Sequence, residues 1–113
     1  MRRDRAYLKH ILEATSNIEK FVEGLTKEGF FENVEKQYAV LRGLEIIGEA
    51  TKNLSRDLKA KYRGIPWREV AGMRDKLIHQ YFGVNLELVW VTIKDKLPEF
   101  KKQILKILKE IEG

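Results

Sequence analysis

Apolar residues recur along this chain at intervals of three, four and seven, the spacing of one face of an α-helix. Tyr7, Leu8, Ile11, Ala14, Ile18, Phe21, Val22 and Leu25 form the first stripe and predict a helix over about residues 4–25, with Asp4 as its N-cap. Gly24 and Gly29 bracket its end, and residues 26–29 read as a connection. A longer stripe of Ala39, Val40, Gly43, Ile46, Ile47, Ala50, Leu54 and Leu58 predicts a second helix, from about residue 32 to 59 or 62. Gly43 and Gly48 lie inside it although each costs about 1 kcal/mol against alanine. Small residues there predict that another helix, or a second subunit, comes close. Val34, Tyr38 and Leu41 add a second apolar arc, as expected of a helix that faces its own core on one side and a partner on the other.

Residues 59–65 form a basic connection, and Pro66 suits the first position of a helix, where its missing N–H costs nothing. That third helix is predicted over residues 66–82, stopped by Gly83. With about 100° per residue, Val70, Leu77 and Tyr81 fall on one side of Arg74, and Trp67, Ala71, Ile78 and Phe82 on the other. Arg74 then points along the middle of the apolar stripe, semi-buried. Asp75 and His79 stand at its edge at i and i+4, where their side chains can meet. Asn85 caps a last helix whose stripe is Leu86, Val89, Trp90, Ile93 and Leu97. Pro98 must kink or break it, and the pattern resumes as Phe100, Ile104, Ile107, Leu108 and Ile111. The expected fold is all-α: one domain over residues 1–113, an antiparallel up-and-down four-helix bundle with a Pro-kinked last helix.

Composition narrows the chemistry. Charged residues make up 35% of the chain and apolar residues 43%, as in a soluble single-core protein, and no stretch approaches the length of a membrane helix. The start, Met-Arg-Arg-Asp-Arg, is not followed by a long uncharged apolar run, which argues against a signal peptide. With no cysteine there is neither disulfide nor thiolate chemistry, consistent with a cytoplasmic setting. The balance of 22 Lys+Arg against 17 Asp+Glu, a net charge of +5, is compatible with an anionic partner such as RNA.

Two histidines, no cysteine and no His-Glu-x-x-His spacing argue against a metal site, and no glycine-rich run opens a helix to cradle phosphate. No cofactor is implied. His10 reads as a surface histidine. Arg74, Asp75, His79 and Tyr81 remain. An arginine that keeps its charge beside a histidine that titrates near neutrality is a minimal kit for phosphodiester cleavage. The arginine holds the phosphate, and the histidine exchanges a proton with the ribose 2′-hydroxyl or the leaving oxygen. Asp75 could orient the imidazole. Glu45 and Glu49 on the second helix are the expected counter-charges for Arg74. One histidine moves one proton at a time, so a symmetric dimer would supply both base and acid.

Residues 67–84, Trp-Arg-Glu-Val-Ala-Gly-Met-Arg-Asp-Lys-Leu-Ile-His-Gln-Tyr-Phe-Gly-Val, closely resemble the signature of HepT-like proteins of the HEPN superfamily: Arg, a polar residue, three others, His, any residue, Tyr. Residues 44–50, the Ile65-Pro66-Trp67 entry and residues 90–98 extend the resemblance over most of the chain. It implies a four-helix bundle that dimerises, with the Arg74–His79 motifs of two protomers meeting in one cleft. The activity implied is that of a metal-independent RNase, the toxin of a type VII-like toxin–antitoxin system, acting on structured RNA and on tRNA in particular. Its implied partner is an MntA-type nucleotidyltransferase antitoxin that silences it by transferring AMP to Tyr81. Asp75 stands where asparagine is frequent in the family, which adds negative charge near the phosphate site, and Gln80 where glycine is common. An alternative from another class is a non-catalytic accessory subunit that binds a nucleotide or substrate for the nucleotidyltransferase.

Overall fold

The structure is a computed structural model that describes residues 2–79 and 83–112. It is all-α apart from one two-residue strand pair, and it divides the expected long helices into shorter ones. Helix α1 (Arg2–Phe21) buries Leu8, Ile11, Ala14 and Ile18, the stripe its periodicity predicts. It ends before Gly24, whose φ of +77° only glycine adopts without strain. The expected connection contains instead a six-residue helix, α2 (Lys27–Glu32). Thr26 caps it by accepting from the Gly29 N–H at 3.0 Å, and the fully buried Phe30 pins it to the core.

Asp4 is not an N-cap. The helix begins two residues earlier, and the Asp4 carboxylate, 2% exposed, accepts from the Ser55 N–H at 2.7 Å and the Ser55 hydroxyl at 2.6 Å. Ser55 Oγ in turn accepts from Leu58 N–H at 3.1 Å. This relay ends the second helix earlier than its stripe suggests. Helix α3 (Val34–Lys52), capped by Asn33, stops at Asn53, and α4 (Arg56–Lys61) starts afresh from Ser55. The apolar period continues across the break through Leu54 and Leu58, both buried, which is why it reads as one helix.

Helix α3 is the centre of the packing. A Cβ on Gly43 would lie 2.7 Å from Ile18 Cγ1, so α1 sits closer here than any larger residue allows. The Gly43–Ile18 contact, with Asp4 bound to Ser55 at the other end, makes α1 antiparallel to α3. Arg5 Nε donates to Glu112 at 2.9 Å and Lys101 meets Glu19 at 2.5 Å, so α1 is antiparallel also to α8 (Leu97–Glu112). Hydrogen bonding from Arg5, its charge and that of Lys9 hold the exposed Glu112 carboxyl below its ordinary pKa. That tie is therefore present at neutral pH and is lost as pH falls through the lowered value.

The third expected helix is the largest departure. It runs as α5 (Trp67–Ala71), breaks at Gly72, resumes as α6 (Met73–Leu77), and gives way to β1 (Ile78–His79). This strand pairs antiparallel with β2 (Gly83–Val84), His79 opposite Gly83. Pro66 stands one residue before α5 rather than at its first position, and Gly83, with φ +78°, belongs to a strand rather than a helix stop. Asn85 caps α7 (Leu86–Val91) as expected, accepting from Leu88 N–H at 3.0 Å. The disturbance anticipated at Pro98 takes the form of a π-helical turn over Thr92–Lys96 that leads directly into α8. The Leu97 N–H bonds to Thr92 carbonyl in that widened turn, one residue before the proline ring. No helix among the described residues is long and apolar enough to cross a membrane.

Asp4→Ala should lower stability by about 2 kcal/mol, because it leaves the Ser55 N–H and hydroxyl without their charged acceptor. Urea denaturation checks this, and a change below about 0.5 kcal/mol contradicts it.

Candidate functional site

Two features of the sequence bring α6 against α3. The end of α5 packs against α3 at Gly48, where a Cβ would stand 3.5 Å from the Ala71 carbonyl oxygen, an ordinary contact distance. Gly72 then breaks the helix, its N–H bonding back to Arg68 and Val70 carbonyls while α6 restarts. Across the break Val70 and Met73 pack against the core and Leu77 is buried, anchoring both short helices.

Arg74 consequently does not lie in the middle of an apolar stripe. Its side chain is 58% exposed, and its Nε donates to Glu45 Oε2 of α3 at 3.1 Å. The turn reset at Gly72 removes the single helical wheel from which the buried placement followed. Glu45 also faces Arg42 at 3.8 Å, whereas Glu49 turns to Lys52 at 3.4 Å. Of the two expected counter-charges, Glu45 is the one that meets Arg74. With Nε engaged by Glu45, the two Nη groups bond to no other described residue and offer a donor fork of the bidentate geometry that suits a phosphate. An exposed pair of this kind adds under about 1 kcal/mol to stability; its effect is to hold the guanidinium at one angle.

The cleft around this pair has a volume of about 260 Å³ and is lined by Arg42, Glu45, Glu49, Lys52, Arg74 and Asp75 together with Gly48, Ala71 and Gly72. A larger cavity of about 370 Å³ lies against α5, α6 and α8, but its walls are mainly apolar, with Ile47, Val70, Met73 and Phe100 among them. The chemistry favours the smaller cleft. Asp75 is exposed at its edge. His79 is carried by β1, beyond the end of α6, so the i,i+4 helical spacing expected to join it to Asp75 does not exist. Tyr81 lies outside the described residues. Lys52 is the cleft residue that periodicity did not single out, although it stands three after Glu49 on the same side of α3. Among the described residues no three His, Cys, Asp or Glu side chains cluster as metal ligands.

A positioned, solvent-facing arginine in a helical frame suits a protein that handles phosphate esters. The sequence profile of the HepT-like ribonucleases matches residues 11–107. The chain belongs to the HepT-like ribonuclease family. It is 50% identical over 109 residues to a protein of Methanocaldococcus jannaschii named as a candidate RNase, covering 96% of this chain and 90% of that one. A candidate RNase of Caldanaerobacter subterraneus subsp. tengcongensis is 46% identical over 110 residues, 97% of this chain and 98% of its own. A protein of Thermococcus cleftensis named as a candidate ribonuclease HepT is 46% identical over 108 residues, 96% and 98% of the two chains. No solved structure matches the chain.

Glu45→Ala should separate positioning from folding. Stability should change by less than about 1 kcal/mol, while ribonuclease kcat/KM falls at least about tenfold as Arg74 loses its fixed angle. Equal activity of the variant and the parent protein would show that Glu45 has no positioning role.

Proposed function

We propose that this chain is a metal-independent endoribonuclease and the toxin of a type VII-like toxin–antitoxin pair, a single-domain cytoplasmic protein acting on structured RNA, tRNA above all. The observation that carries this reading is Arg74, bonded through Nε to Glu45 and lining the cleft, in a chain of ribonuclease family. The guanidinium binds the scissile phosphate and offsets the charge that builds on it in the transition state. His79 of one protomer takes the proton of the 2′-hydroxyl as that oxygen attacks phosphorus. His79 of the second protomer gives a proton to the departing 5′-oxygen. The products are a 2′,3′-cyclic phosphate and a 5′-hydroxyl end.

Two copies of His79 require two chains, and the surface of α3 supports a homodimer. Val34 is 60% exposed and Tyr38 72%, one turn apart, with Phe31 nearby at 36%. Exposed large apolar side chains this close in sequence are a candidate partner surface. Control comes from an MntA-type nucleotidyltransferase that transfers AMP from ATP to the Tyr81 hydroxyl, releasing pyrophosphate. The added group puts bulk and negative charge two residues from His79, where it competes with RNA phosphate.

Purified protein incubated with total tRNA and EDTA should cleave it, and Arg74→Ala and His79→Ala should each lose about 100-fold or more in rate. Absence of cleavage by the unmodified protein refutes the ribonuclease reading, and cleavage that survives in His79→Ala shows the base to be another residue. After treatment with the partner enzyme and ATP, mass spectrometry should find AMP on Tyr81. A different modified residue refutes that part.

A further inference from the structure

The second histidine has no part in the chemistry above, yet it does not stand alone. His10 follows Tyr7 by one turn of α1, and the two rings meet edge to face with centroids 6.2 Å apart and planes at 85°. With Arg42, Glu45, Glu49 and Asn53 they line a second depression of about 220 Å³. Arg42, Glu45 and Glu49 belong to both depressions. The exposed ridge of α3 is therefore a shared wall, with Arg74 on one flank and the Tyr7–His10 pair on the other. A helix is about 10 Å across, a width that one nucleotide spans from its phosphate to the far edge of its base.

The chemistry of this second depression differs from that of the first. Glu45 is drawn to Arg74, while Glu49 has an exposed carboxylate whose partner is Lys52 at 3.4 Å. Asn53 donates its Nδ2 to the Glu49 carbonyl oxygen at 2.8 Å, which leaves its side-chain oxygen as an acceptor. A carboxylate repels phosphate but accepts from N–H groups. Acceptors beside aromatic rings suit a flat ligand that stacks and carries donors on its edge. Unpaired RNA bases are recognised in this way. Guanine presents two adjacent donors, N1–H and the N2 amino group, to one carboxylate.

We propose that Tyr7, His10 and Glu49 form a nucleobase subsite that takes a guanine next to the phosphodiester held at Arg74. It rests on the phosphodiester reading of the Arg74 cleft and adds to it a base preference. The rings supply stacking for any base, and Glu49 selects the base. Arg42, at the end of the shared ridge, offsets the carboxylates for the phosphate that enters beside them.

The test uses fluorescence anisotropy with labelled 2′-O-methyl hexanucleotides, oligouridine with G, A, C or U at one central position. These lack the attacking hydroxyl and bind without being cleaved. The guanine form should bind about tenfold more tightly than the other three. Glu49→Gln should bring all four within about twofold of one another, and His10→Ala should weaken all four alike by about fivefold. Equal binding of the four by the parent protein, preference for another base, or a guanine preference unchanged by Glu49→Gln overturns the subsite. Cleavage of the 2′-hydroxyl forms is scored beside it. Failure to cleave with the guanine preference intact sinks the nuclease reading and leaves the subsite standing.

Discussion

Helix α3 is packed on two flanks at once, and Gly43 makes the closer of the two approaches possible. Gly43 admits Ile18 of α1 where a Cβ would collide at 2.7 Å, and the backbone of α5 lies against the other flank at Gly48. A helix held from two sides cannot rotate, so the orientation of its remaining surface is fixed. That surface carries Arg42, Glu45, Glu49 and Lys52, two cations at the ends and two carboxylates between. The packing of α3 thus determines which groups stand at the cleft, and the cost of Gly43 inside a helix is offset by the close approach of α1 that it allows.

The cleft uses little stabilising energy. Its ion pairs are exposed, and pairs of that kind add almost nothing to folding. Stability resides instead in the buried residues of α1, α3 and α8 and in polar ties such as Asp4 to Ser55. The cleft side chains can therefore be exchanged without unfolding the protein, which makes their role accessible to substitution. The chain of a HepT-like ribonuclease thus has a helical frame whose stability is separate from the exposed charged groups of the cleft.

Much of this was legible in the sequence, and the failures share one cause. Periodicity reports which face of a segment is buried, and there it succeeded: the stripes of α1, α3 and α8 are the core. The close approach at Gly43 and the pairing of Glu45 with Arg74 also followed from residue type and position. Breaks that keep the apolar phase were invisible. The gap between α3 and α4 preserves it through Leu54 and Leu58. Its origin is a bond between Asp4 and Ser55, fifty-one residues apart, which no local pattern contains. Gly72, a glycine in the middle of an apolar-periodic segment, is the one local sign of the second break, and that break leaves Arg74 exposed. His10 and Tyr7, three apart on α1, could have been paired by spacing, but their shared depression with Glu49 depends on how α1 crosses α3.

The proposed function depends on Glu45 holding Arg74 by Nε while the outer nitrogens take phosphate. Nitrogen-15 NMR of the arginine side chains during titration with a 2′-O-methyl RNA tests it most directly. The Arg74 Nε–H resonance should exchange slowly with water before RNA is added and should stay nearly unmoved as RNA binds, while the Nη resonances shift. An Nε–H that exchanges as fast in the parent protein as in Glu45→Gln, or Nη resonances that ignore RNA, would contradict it.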